Sequence, residues 1–209
     1  MNETSAREEI ARFAKSLFDR GYTVGSSGNI SVRLDDGLLI TPTNSCFGSL
    51  DPARISKLDP AGRHVCGDKP SKEIFLHQAL LETRSGVRSV VHLHSTHATA
   101  VSCLADVDPD DVLPPLTPYF LMRVGRLPLV PYFRPGDPAM GDAVRALGGR
   151  CAAVLLANHG PVVSAPDLAS AVYASEELEE TARLYLLLRG LPVRLLDERQ
   201  IAALSRPGA

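Results

Sequence analysis

The stretch GVRSVVHLHSTHATAVSCL, residues 86–104, changes character halfway along. Its first half, VRSVVHLH, is β-prone, and in a strand successive side chains point to opposite faces. His92 and His94 therefore share one face while Leu93 points to the other. Its second half, STHATAVSCL, reads as a helix opening with Ser95 or Thr96 as the N-cap. A strand that runs directly into a helix points to a mixed α/β architecture. Three of the chain's six histidines lie in this segment. Imidazoles at i and i+2 on one face can chelate one metal ion, but such a pair also serves structural roles, and both readings stay open at this point. His97 falls on the cap or first helical turn and is expected to orient a neighbour rather than to ligate.

The segment also fits the opening of a cupin, a glycine followed after five residues by His-x-His. A cupin next requires a glutamate where this chain has Ala98 and Thr99. Cupins are all-β barrels, whereas helical patterns flank this segment. That reading is discarded.

Working outward, Ile10, Phe13, Ala14, Leu17 and Phe18 recur at helical spacing, which predicts a helix over residues 5–20 closed by Gly21. Asp36-Gly37 between two β-prone runs predicts a hairpin turn, and RISKLDPAGRHV predicts a strand pair turned at Pro60-Ala61-Gly62. KPSKEIFLHQALLETRSG predicts a helix over 71–84, with Pro70 in its first turn and Ser71, Lys72 and Glu73 at its N-terminal end. The proline-rich passage from Pro109 to Pro138 is expected to mix loops, short strands and one helical segment. CAAVLLANHG reads as a buried strand ending in a turn. The following segment, from Asp167 to Gly190, reads as a long capped helix. Strands and helices interleave without repeats or a linker, so the expectation is one α/β domain spanning residues 1–209.

At 209 residues, 44% hydrophobic and 22% charged, the chain can bury a core without disulfides or metal staples. A net charge of −2 with no basic block argues against nucleic acid and anionic membrane as partners. The N-terminus mixes acidic and basic residues where a signal peptide needs an apolar run, and no apolar run approaches the ~20 residues that span a bilayer. A cytoplasmic location is expected. Cys46, Cys66, Cys103 and Cys151 form no CxxC, which argues against a zinc ribbon or a thioredoxin-like pair.

Further ligand candidates come from elsewhere. His159, in LLANHGPVV, ends an apolar strand, where polar residues line active sites in α/β architectures. Glu73 is a candidate carboxylate ligand, with a helix-dipole partner or solvated charge as the competing reading. Three histidines and a carboxylate suit zinc or another borderline divalent ion. Three turns favour an anion: GSSGN (residues 25–29), with Ser26, Gly28 and Asn29; TPTN (41–44), with Thr43 and Asn44; and PSKE, where Ser71 and Lys72 meet a helix N-terminus.

GSSGNISVRL, LLITPT, PSKEIFLH, VVHLHSTHATAVSCL and LLANHGPV, in this order and over roughly residues 5–200, resemble the class II aldolases of the adducin-like superfamily. The resemblance implies a three-layer α/β/α sandwich with a central, mostly antiparallel sheet, and a homotetramer with active sites at subunit interfaces. It also implies zinc held by His92, His94 and His159, with manganese or cobalt as other divalent ions the donors accept. Glu73 would be the fourth ligand and the acid/base in turnover. Ser26, Gly28, Asn29, Thr43, Asn44, Ser71 and Lys72 match positions that grip a substrate phosphate, and Tyr119 aligns with a tyrosine near the reacting carbons.

More closely, TPTNSCFGSLDPARISKLD, GDKPSKE, TPYFLMRVGRLPLVPYFRPGD and EELEETARL are similar to the branch that decarboxylates 3-oxo-tetronate 4-phosphate. Lys72 stands where fuculose-phosphate-type aldolases carry a second serine, and no tyrosine follows residue 185, where those aldolases use a C-terminal one. The implied reaction is decarboxylation to dihydroxyacetone phosphate and CO2 through a metal-stabilised enediolate. The alternatives are a sugar-phosphate aldolase and a non-catalytic adducin-like binding module, which would be expected to lack part of the ligand set.

Overall fold

The computed structural model describes residues 2–204; residues 1 and 205–209, the ends of the expected 1–209 domain, lie outside them. Helix α1 (Glu3–Asp19) starts where the Asn2 side chain accepts the Ser5 N–H at 2.8 Å, two residues ahead of the expected start. Strands β1 (Asn29–Leu34) and β2 (Gly37–Ile40) form the expected hairpin, but the turn is Asp35-Asp36 and Gly37 is already on the second strand. The physical reason is contact with the next strand: a Cβ on Gly37 would lie 2.1 Å from the Leu58 carbonyl oxygen. Strands β3 (Ser56–Leu58) and β4 (His64–Cys66) pair as expected.

Helix α2 (Ile74–Thr83) begins three residues later than expected. Pro70 forms a β-bridge with Pro42, and Ser71 N–H donates to the Thr41 carbonyl at 3.3 Å, so this backbone is held in a sheet-like pairing until Glu73. Strand β5 (Ser89–His92) is shorter than expected, leaving His94 just beyond it, and α3 (Thr96–Ser102) follows with Ser95 as its N-cap. The proline-rich passage holds α4 (Pro118–Arg123) and β6 (Leu129–Val130), followed by α5 (Ala139–Ala146). Strands β7 (Ala153–Leu156) and β8 (Gly160–Ala165) lead into α6 (Leu168–Leu188), capped by Asp167 as expected, and α7 (Glu198–Leu204) ends the described chain.

The eight strands form one sheet in the order β4-β3-β2-β1-β5-β8-β7-β6, antiparallel at every junction except β6 with β7. Alternation along the central strands sorts the core between two faces. Val91 and Val163 pack with residues of α1, α3, α4 and α6, whereas Val90, Val154 and Val162 pack with α2 and α5. This is the expected three-layer α/β/α arrangement with a mostly antiparallel sheet. Each fully buried aliphatic side chain in these clusters contributes about 1.5–3 kcal/mol. No helix among the described residues is long and apolar enough to cross a membrane.

Candidate metal and phosphate site

The order of the central strands assembles the site. Asn29 of β1 stands opposite His92 of β5, so both reach the α2 face of the sheet. His159 occupies the three-residue turn Ala157–His159 between β7 and β8, where Asn158 takes a positive φ of 54°. Leu93 N–H donates to the Pro161 carbonyl at 3.2 Å, which seats that turn against the end of β5. The close approach needs Gly160, because a Cβ there would lie 2.3 Å from the Leu93 carbonyl oxygen. Glu73, ahead of α2, enters from the side.

The three imidazoles converge. His94 Nε2 lies 3.1 Å from His92 Nε2 and 3.1 Å from His159 Nε2, and Glu73 reaches within 3.6 Å of the His92 and His159 Nε2 atoms. Tetrahedral ligands at zinc's usual bond length stand about 3.3 Å apart, close to this spacing. The donor chemistry fits as well. The Pro161 carbonyl, 2.9 Å from His92 Nδ1, can only accept, so the proton of His92 sits on Nδ1 and Nε2 presents its lone pair. A neutral His94 can donate to only one of its two imidazole neighbours, so the cluster presents lone pairs that a cation would satisfy. These residues can hold a divalent metal ion.

Burial, with repulsion from His94 and His159, holds the His92 imidazole well below its ordinary pKa. Burial likewise lowers His94, with His159 adding to the effect, and lowers His159 against the opposing pull of Glu73. All three are therefore held as the neutral, ligating form. His77, beneath them on α2, is pushed by burial to about 3. Its folded pKa lies below the unfolded value of 6.5, so protons favour the unfolded chain. The contribution of this imidazole is full above pH 6.5 and is lost as pH falls towards 3, at about 1.4 kcal/mol per pH unit. Urea denaturation of chelator-treated protein between pH 7.5 and 5 is expected to show that loss, with a shallower slope in His77→Gln.

The predicted phosphate residues gather at the rim of the same cleft, a volume of about 480 Å³. Ser26 and Gly28 come from the loop ahead of β1, whose shape is tied by Thr23 donating to the Ser27 carbonyl at 2.7 Å, and Asn29 is the first residue of the strand. Gly28 has φ 86°, and a Cβ there would sit 2.9 Å from the His92 carbonyl oxygen, so the loop passes directly against the end of β5. Thr43 and Asn44 lie beside Ser71 and Lys72 because of the Pro42–Pro70 bridge. Lys72 is the only cationic side chain lining the cleft among the described residues.

Tyr119 is not brought into this cleft: it lies on α4, 62% exposed. His97 behaves as expected of a supporting residue, its Nδ1 lying 2.8 Å from Glu179, whose carboxylate also accepts the His97 and Ala98 N–H groups. Sequence reasoning did not single out Thr99, Tyr132, Phe133, Pro135 and Asn158, which also line the cleft. Asn158 adjoins a predicted ligand and was within reach. The aromatic pair sits in the proline-rich passage, where no periodicity marks an inward face.

Comparison with known proteins matches residues 8–186 to the Class II Aldolase and Adducin N-terminal domain. The chain is 52% identical over 190 residues to a 3-oxo-tetronate 4-phosphate decarboxylase of Cupriavidus necator, covering 91% of this chain and 88% of that one. It is 33% identical to the L-fuculose phosphate aldolase of Escherichia coli over 87% and 84% of the two chains. The crystal structure of YgbL from Escherichia coli, described as an aldolase, epimerase or decarboxylase, superposes with a TM-score of 0.95 at 49% identity. That superposition covers 98% of this chain and 99% of that one.

Proposed function

The chain belongs to the class II aldolase and adducin family, and on that premise we propose that it decarboxylates 3-oxo-tetronate 4-phosphate to dihydroxyacetone phosphate and CO2. The observation that carries this reading is a three-histidine cluster and Glu73 beside a cleft that is also lined by Lys72 and by the hydroxyl- and amide-bearing residues Ser26, Thr43, Asn44 and Ser71. The greater similarity to a decarboxylase than to a fuculose phosphate aldolase supports the choice between chemistries that share this machinery.

His92, His94 and His159, with Glu73 in the resting site, would hold the metal, zinc by its fit to the donor set. A divalent ion bound there would supply Lewis-acid stabilisation of the negative charge that develops as CO2 leaves. The chain's own residues do the rest. Hydroxyl and amide groups of the loops around Ser26, Thr43 and Ser71 grip the phosphate, and Lys72 adds a full positive charge. Cleavage of the C1–C2 bond leaves its electron pair on the substrate as an enediolate. Glu73 takes up a proton from solvent and delivers it to C2, which completes the hydroxymethyl group of the product and returns Glu73 to its carboxylate. The Asn29 Nδ2–H, 2.9 Å from Glu73 Oε2, orients that carboxylate.

The assembly proposed is a cytoplasmic homotetramer serving sugar-acid catabolism. In it the exposed Tyr119 reaches a neighbouring copy's cleft and acts near the reacting carbons. The direct test supplies metal-loaded protein with 3-oxo-tetronate 4-phosphate and follows dihydroxyacetone phosphate and CO2. If neither forms while a ketose 1-phosphate is cleaved to an aldehyde, the aldolase reading replaces this one.

Replacing the lone cation is expected to separate grip from chemistry. Lys72→Met should raise KM about 10- to 100-fold, corresponding to loss of a charge-assisted contact of about 1.5–3 kcal/mol. Steady-state kinetics check this, and an unchanged KM places Lys72 outside the substrate grip.

A further inference from the structure

Two periodicities meet beneath the histidine cluster. Glu73 and His77 are four residues apart, about 6 Å along a helix. Asn29 and Ser31 are two residues apart on β1, about 6.6–6.8 Å along a strand, and both side chains face α2. The near match of spacings lets the pairs interlock. Asn29 Nδ2 stands 2.9 Å from Glu73 Oε2, Asn29 Oδ1 is hydrogen-bonded to His77 Nε2, and His77 Nδ1 lies 2.7 Å from Ser31 Oγ. His77 and Ser31 are fully buried and Asn29 nearly so.

The direction of every proton in this chain follows from its end. A carboxylate only accepts, so the Asn29 amide nitrogen must face Glu73 and its carbonyl oxygen must face His77. That oxygen cannot donate, so His77 carries its proton on Nε2. A neutral imidazole has only one, leaving Nδ1 to accept from the Ser31 hydroxyl. Burial keeps the ring neutral.

We propose that His77 is a positioning residue: its Nε2–H pins the Asn29 carboxamide so that a donor always faces Glu73, which fixes the carboxylate for its role beside the metal. The inference rests on the ligand and proton-carrier role proposed for Glu73. Both ends of the Asn29 carboxamide are taken by Glu73 and His77, so without His77 it can turn over and set its oxygen against the carboxylate, which misplaces Glu73 while leaving Ser26, Thr43, Asn44, Ser71 and Lys72 in place.

The experiment titrates metal-free wild type, His77→Leu and His77→Gln with Co2+ and reads affinity and the visible spectrum. The expected result is an affinity about 10- to 100-fold weaker and an altered spectrum in His77→Leu. In turnover its kcat should fall by a similar factor with KM near the wild-type value. His77→Gln can donate to Asn29 and accept from Ser31, so it should recover most of the loss. Cobalt affinity and spectrum unchanged in His77→Leu overturn the proposal. Nitrogen-15 spectra of the wild-type protein, which need no variant to fold, should show His77 as the Nε2–H tautomer; the Nδ1–H tautomer also overturns it. Neither the titration nor the spectra use substrate, so absence of CO2 release from the wild type refutes the substrate reading alone.

Discussion

His94→Ala is expected to abolish stable metal binding and to lower kcat/KM by on the order of 10³-fold or more, about 4 kcal/mol of transition-state stabilisation. Of the three imidazoles this is the informative one to remove. His94 lies past the end of β5 and is partly exposed, so its loss opens little core, whereas His92 is fully buried and its removal would mix cavity cost with metal loss. His94 Nε2 also stands 3.1 Å from both other ring nitrogens, so the remaining pair loses the imidazole next to each of them. Metal bound only to the folded state stabilises it by mass action. A chelator should therefore lower the melting temperature of the wild type and leave that of His94→Ala unmoved. Metal content by elemental analysis and melting curves with and without chelator check both halves. A variant that keeps its metal and turns over substrate would remove His94 from the ligand set.

The convergence of these imidazoles was largely legible in the sequence, because period-two alternation along VVHLH places His92 and His94 on one side. The strand ends at His92, yet the pair still converges, His94 Nε2 lying 3.1 Å from His92 Nε2. His159 and the phosphate loops could be named as candidates because turn chemistry is local. What was not legible depends on which strands are neighbours. Nothing near Asn29 announces that β1 lies beside β5 in register with His92, or that α2 crosses above both. The sequence around His77 shows only a helix with apolar neighbours, whereas its fully buried ring is part of a buried polar chain. The late start of α2 has the same origin, since the Pro42–Pro70 bridge that delays it joins residues far apart in sequence.

Glu73→Gln is the sharper chemical test, because it should leave the metal and the phosphate grip in place and remove the proton. The glutamine amide has nearly the same shape, and its oxygen can accept the Asn29 Nδ2–H that Glu73 Oε2 now accepts at 2.9 Å, so the 6% exposed site needs no repacking. Three imidazoles remain as ligands, and metal should be retained, although more weakly. An amide cannot carry a proton to the enediolate, so kcat is expected to fall about 10²- to 10⁴-fold with KM changed little. The proton step can also be read without decarboxylation: wild-type enzyme given dihydroxyacetone phosphate in deuterium oxide should exchange one hydrogen of the hydroxymethyl carbon with solvent, and Glu73→Gln should not. Exchange at the wild-type rate in that variant would assign proton delivery to another group, and the exposed Tyr119, offered by a neighbouring copy, is then the residue to replace next.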